Sequence, residues 1–182
     1  FEVEDALKDN AYEIHSGGNR VIEIKQECGN LKKGFEEADF IFEDRYVLPA
    51  VHHAAIELHV AIADFDSGGK LTVISPNQNT FSFRSILSRI FGLPLNKVRV
   101  IRPAIGGAFG GKLEAVLEPV VAQLSMMTGR PVKMELTRPE AITSTRTRHG
   151  AVIYLKTGVM KDGTITAQDF RALTNTGAYA SS

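Results

Sequence analysis

Short runs in which apolar and polar residues alternate, separated by two stretches of helical period, constrain this chain more than any other feature. Alternation with a period of two marks strands that bury one face. Phe40–Val47, Glu57–Phe65, Leu71–Ser75, Lys97–Arg102 and Val132–Leu136 read this way. Thr80–Phe91 reads as a helix: Phe83, Leu87, Ile90 and Phe91 fall on one side, Asn79 or Thr80 caps it and Gly92 stops it. Glu114–Met127 carries the strongest helical stripe, Val116, Leu117, Val120, Val121, Leu124 and Met127, and Gly129 follows. Pro119 puts its regular start near Leu117 or Glu118. Pro139–Thr143 reads as a single helical turn. Ala151–Met160 and Thr164–Ala178 flank Lys161-Asp162-Gly163, a hairpin signal because Asp-Gly tolerates positive φ. The expected class is α+β, a two-layer sandwich with a mixed β-sheet and helices on one face.

Residues 1–35 are polar and lack this periodicity. Gly17-Gly18, Gly29-Asn30 and Lys32-Lys33-Gly34 are turn chemistry, and a short helix within Val3–Lys8 is the most they support. They read as a connecting segment. At 182 residues, 43% apolar and 23% charged, the chain has material for one domain with a proper core. Lys plus Arg (21) equals Asp plus Glu (21), which gives no support for a nucleic-acid or anionic-membrane partner. No apolar run approaches the roughly 20 residues of a membrane helix, and no basic-then-apolar leader pattern opens the chain. The single cysteine, Cys28, fits a reducing compartment, so the expected location is cytoplasmic. An iron–sulfur cluster usually needs four cysteines, so none is expected here. A start at Phe1 and a stop at Ser182, directly after a predicted strand, lead us to expect a piece of something larger.

The best candidate for chemistry is Gly106-Gly107-Ala108-Phe109-Gly110-Gly111-Lys112, between a strand and the strongest helix. Glycines free the backbone to turn tightly and expose N–H groups, which bind phosphates and other oxyanions. A plain strand-to-helix connection explains the spacing equally well. The pattern is not a Walker loop, since no Ser or Thr follows Lys112, and its glycine spacing is not the dinucleotide fingerprint. Gln78 can donate its amide NH2 to an oxo or carbonyl group, whereas Asn79 is better explained as a helix cap. His53, Glu57 and His59 would share a face in a regular strand and form a metal trio. Pro49 and Ala50 break that strand, so structural hydrogen bonding is the default. Arg146, Arg148 and His149 make a small basic cluster that suits a phosphate, with a solvated loop as the plainer explanation.

In order, the chain carries His-His-Ala-Ala-Ile-Glu at 52–57, Asn-Gln-Asn-Thr at 77–80, Phe-Gly-Leu-Pro at 91–94 with Val-Arg-Val at 98–100, the glycine loop at 106–112, Gly-Arg-Pro-Val at 129–132 and Thr-Arg-His-Gly at 147–150. This order resembles the molybdopterin-binding large subunit of the xanthine dehydrogenase and aldehyde oxidase family, over nearly the whole chain. The resemblance implies that residues 1–35 lead in from a preceding domain and that 36–182 are the first part of the molybdopterin-binding domain. It implies a molybdenum hydroxylase that oxidises an aldehyde or a xanthine-like N-heterocycle with water as oxygen source. Gln78, Gly107, Ala108, Phe109 and Gly110 match the family's cofactor-binding positions, and Leu113 falls in its substrate pocket. Leu113 holds a place where purine-oxidising members carry Glu, which favours an aldehyde or another heterocycle. The base glutamate is expected downstream of Ser182, and no residue here is assigned as a direct metal ligand. The implied partners are the rest of the large subunit and iron–sulfur and FAD subunits or domains. The chain alone is expected to be inactive, to hold no cofactor, and to self-associate through the wall around Phe109 or a sheet edge near Thr164–Tyr179. A non-catalytic scaffold of the same fold and a phosphate-binding domain are the alternatives.

Overall fold

The computed structural model describes residues 2–177. In chain order its elements are α1 (Leu31–Glu36), β1 (Phe40–Leu48), β2 (Val51–His52), β3 (Val60–Phe65), β4 (Leu71–Ile74), α2 (Thr80–Phe91) and β5 (Val98–Ile101). There follow α3 (Glu118–Thr128), β6 (Val132–Glu135), α4 (Arg138–Ser144), β7 (Thr147–Arg148), β8 (Gly150–Val159) and β9 (Ile165–Asn175). The expected α+β class holds. The strands, however, divide into separate sheets and the chain into two units, residues 1–51 with 149–182 and residues 52–148. Alternation tells a strand which residues to bury but not which strand to pair with.

The first unit is an antiparallel sheet in the order β1-β8-β9. Phe40 pairs with Val159 and Leu48 with Ala151, and the β8–β9 hairpin closes over the predicted Asp-Gly turn, where Gly163 has φ 90°. The last predicted strand residue, Ala178, and the edge residue Tyr179 lie outside the described residues. Helix α1 goes beyond the sequence expectation, because it is short and contains a glycine. Asn30 caps it by accepting from the Lys33 N–H at 3.0 Å. Gly34 is buried against β9, where a Cβ would run into the Thr166 carbonyl oxygen. The glycine that weakens the helix locally is therefore what lets it dock.

The second unit holds a mixed sheet in the order β5-β4-β3-β6, in which only β4 and β5 run parallel. Ala61 and Ala63 of β3 are fully buried and small, so α3 packs close on them. Leu71, Val73, Leu87, Val98, Val121 and Ala122 join them in one core, which places α2 and α3 on the same face of the sheet. Burying each large side chain here contributes about 1.5–3 kcal/mol. Helix α2 runs over the expected residues. Its Asn79 cap accepts from Ser82 N–H at 3.2 Å, and Gly92 ends it at φ 62°. Helix α3 starts at Glu118, where Pro119 was expected to put its regular start, with the proline in its first turn, where the missing N–H costs nothing. Strand β3 starts at Val60 rather than Glu57, because the backbone at Glu57 turns away to pair with Gly106.

Candidate functional site

The glycine loop is tied at both ends by the same device. At its start, Glu57 N–H donates to the Gly106 carbonyl at 3.1 Å, and the Gly106 N–H donates back to the Glu57 carboxylate at 3.1 Å. At its end, Gln78 N–H donates to the Lys112 carbonyl at 3.0 Å, and the Lys112 N–H donates to Gln78 Oε1 at 3.1 Å. The Lys112 side chain then links the two ends. Its Nζ donates to Glu57 Oε2 at 2.6 Å, and the lysine side chain is 2% exposed. An ammonium so buried needs a charged partner, and Glu57 supplies it.

Between these ties only Phe109 projects into solvent, while Ala108 is buried and Gly107 and Gly110 are half-buried. Gly107 and Gly110 sit at φ 103° and 97°, and Phe109 at φ 53°. A positive φ on an aromatic residue costs on the order of 1–3 kcal/mol and persists only where its surroundings enforce it. Phe109 is 74% exposed, and its ring folds back towards Gly107, where an added Cβ would lie 3.2 Å from it. Within the loop, Gly111 N–H donates to the Ala108 carbonyl at 2.8 Å. Among the described residues the N–H groups of Gly107, Ala108, Phe109 and Gly110 have no partner. Successive free amides in such a turn make a nest for an anion.

Gln78 adds to this set. Because the Lys112 N–H can only donate, it fixes the Gln78 carbonyl oxygen towards itself and leaves the NH2 end without a protein partner among the described residues. The amide therefore keeps its donor end unengaged. Its neighbour Asn77 is fully buried, with its own amide donating to the Ser75 carbonyl at 3.0 Å. Residues 113–117 separate the loop from α3, so the loop's own amides are the donors.

Three histidines frame the loop from below. His59 Nε2 donates to the Gly111 carbonyl at 3.0 Å, which fixes its tautomer, and burial pushes its pKa down. His52 Nδ1 accepts from Ala54 N–H at 3.0 Å, so its Nε2 carries the proton and meets Thr145 Oγ1 at 3.1 Å. His53 Nδ1 is buried with no partner, and its ring lies under the loop: a Cβ on Gly111 would stand 3.0 Å from that nitrogen. Gly106 is held to glycine for a similar reason, since its Cβ would come within 2.7 Å of Glu57 Cβ. These rings, with Arg138 and Thr145, line a cavity with room for about one water molecule. His53, Glu57 and His59 border this same cavity, but no group of three or more His, Cys, Asp or Glu side chains among the described residues is arranged to hold a metal ion.

Of the residues singled out from sequence, Gln78 and the loop come together through Lys112. Leu113 lies just beyond, 44% exposed and outside the core. Arg146 is paired with Glu114, and Arg148 is exposed. Sequence reading missed the Glu57–Lys112 pair. The two residues stand 55 positions apart with nothing local to link them.

A family model described as the molybdopterin cofactor-binding domain matches residues 14–182. The chain belongs to the molybdopterin cofactor-binding domain family. Relatives of this family member include the xanthine dehydrogenase molybdenum-binding subunit of Escherichia coli, 35% identical over 98% of the chain. Another is the nicotinate dehydrogenase large molybdopterin subunit of Eubacterium barkeri, 35% identical over the whole chain. The chain spans 24% of the length of the first and 43% of the second. Among solved structures, the aldehyde oxidoreductase from Desulfovibrio gigas superposes with a TM-score of 0.78 and 27% identity, over 93% of this chain and 19% of that one. No described helix is long and apolar enough to cross a membrane.

Proposed function

We propose that this chain supplies one wall of the molybdopterin site in a molybdenum hydroxylase of the xanthine dehydrogenase and aldehyde oxidase type. The observation that carries the reading is the run of unpaired N–H groups from Gly107 to Gly110 beside the unpaired amide of Gln78. Such donors suit the oxygens of an anionic cofactor, and the buried, unpartnered His53 Nδ1 behind the loop fits a site built for more than chain reversal. Gly107, Ala108, Phe109, Gly110 and Gln78 would hold the group. When bound, molybdopterin supplies the two-electron redox chemistry by which an aldehyde or an electron-poor N-heterocycle gains oxygen from water.

The chain's own residues bind and orient. The loop amides present fixed dipoles that need no reorganisation, Gln78 directs one neutral donor, and Phe109 shields the backbone beneath its ring. Exposed Leu113 lines the substrate side. Residues 36–182 form the first part of the cofactor domain, with 1–35 leading into it. The base and the iron–sulfur and flavin centres belong to other segments or subunits. A phosphate-binding role using Arg146 is disfavoured, because Glu114 already pairs with that guanidinium.

Ligand sites enclose most of a ligand's surface, and one wall does not. Molybdenum analysis of the chain purified alone, and of the full-length subunit coexpressed with its partners, tests the reading. The expected result is no metal in the first and near-stoichiometric metal in the second. Near-stoichiometric molybdenum in the isolated chain would overturn the one-wall reading, and none in the assembled protein would favour a scaffold of the same fold.

A further inference from the structure

Glu57 stands outside the donors described above, yet it holds the first residue of the loop directly and the last through the Lys112 side chain. We propose that Glu57 is a positioning residue for the cofactor loop: through the Gly106 N–H and the buried Lys112 ammonium it sets both the free loop amides and the Gln78 donor. The proposal rests on the molybdopterin reading for what is positioned, but not for the positioning itself.

The argument is one of connectivity and charge. The Glu57 carboxylate accepts from Gly106 N–H at 3.1 Å and from Lys112 Nζ at 2.6 Å through the same oxygen, Oε2. Gly106 is the first residue of the loop and Lys112 the last. One carboxylate oxygen therefore fixes the separation of the loop's two ends. The Lys112 backbone in turn fixes Gln78 twice, by accepting from its main-chain N–H and by donating to its side-chain oxygen. If the ammonium moved, the peptide that orients the Gln78 amide would move with it. Bonds to charged groups are shorter and stronger than neutral ones, which suits a tie that must hold the strained φ at Phe109. The lysine side chain is 2% exposed and its partner 29%, so the pair is shielded on the lysine side and solvated on the other. The glycine at 106 belongs to the same design, since any Cβ there would push Glu57 away.

Glu57→Gln keeps the shape and still accepts from Gly106, but offers no charge to Lys112. Lys112 then lies buried without a counter-charge, which destabilises the unit as a whole. The double variant Glu57→Gln/Lys112→Met removes both charges and keeps the buried volume near its original value. Three readouts on the full-length subunit separate positioning from simple support: thermal unfolding, amide exchange at Gly106, Gln78 and Lys112, and molybdopterin content. We expect the double variant to regain most of the stability lost in Glu57→Gln and Gly106 to keep its acceptor, while exchange at Gln78 and Lys112 stays about tenfold or more above wild type and cofactor content stays low. Should Glu57→Gln fail to fold, the double variant alone is read. A double variant with wild-type loop protection and full cofactor content would overturn the proposal. Loosened loop amides in a protein whose wild type holds no molybdopterin would support the positioning and sink the cofactor reading instead.

Discussion

Replacing Gln78 separates its two functions, because its oxygen and its nitrogen face different tasks. In Gln78→Ala the Lys112 N–H loses its side-chain acceptor, while Gln78 N–H still donates to the Lys112 carbonyl. Leaving one such N–H unpaired costs about 1–3 kcal/mol. For a domain of this size each kcal/mol lowers Tm by roughly 2–4 °C. Removing a preorganised donor at the reacting centre costs about 10²–10³ in rate, or about 2.7–4 kcal/mol of transition-state stabilisation. Gln78→Ala is therefore expected to lose both stability and turnover. Gln78→Glu keeps an acceptor for Lys112 N–H but replaces the NH2 donor by a charged acceptor oxygen, so it should hold Tm near wild type while turnover falls by about 10²–10³ or more. The assay is kcat per molybdenum bound in the full-length enzyme, paired with thermal unfolding. A Gln78→Glu enzyme that turns over at the wild-type rate would refute the donor role. An unchanged Tm in Gln78→Ala would refute the tie to Lys112.

Glu118 is buried at the start of α3, accepts from Val116 N–H at 3.0 Å, and has its pKa pushed up by burial. Above its ordinary value of 4.5 the unfolded chain has released a proton that the folded chain still holds, so raising pH through that window lowers stability. Glu118→Gln should raise Tm at pH 7 and flatten the pH dependence above 4.5; a lower Tm at pH 7 would count against this. Leu113→Glu, at an exposed position, should leave stability within about 0.5 kcal/mol and shift substrate ranking towards purines; an unchanged ranking removes Leu113 from the pocket. The isolated chain should self-associate, because Phe40, Phe42 and Phe170 share one face of the first unit's sheet and are 51%, 59% and 59% exposed. Among the described residues, the two outer strands, β1 and β9, also have no partner on their outer edges. A single monomeric species in sedimentation at all concentrations would contradict this.

What the sequence determined by itself is mostly local. Helix α2, with its Asn79 cap and Gly92 stop, was legible because periodicity, capping and termination are each set within a turn or two of chain. The hairpin at Asp162-Gly163 was legible for the same reason, as was the capacity of the glycine loop to expose its amides. Helix α1 escaped because its one decisive residue, Gly34, makes sense only against Thr166 of β9. The division of the strands between separate sheets escaped too, since pairing is a property of partners. At the site, sequence named the donors at Gln78 and the loop, and only the tertiary structure showed how they are held. Lys112 reads in the sequence as a charge after a glycine run. It becomes a buried cation because the chain brings Glu57 to it from 55 residues away, and desolvation then makes that single carboxylate the partner it cannot do without.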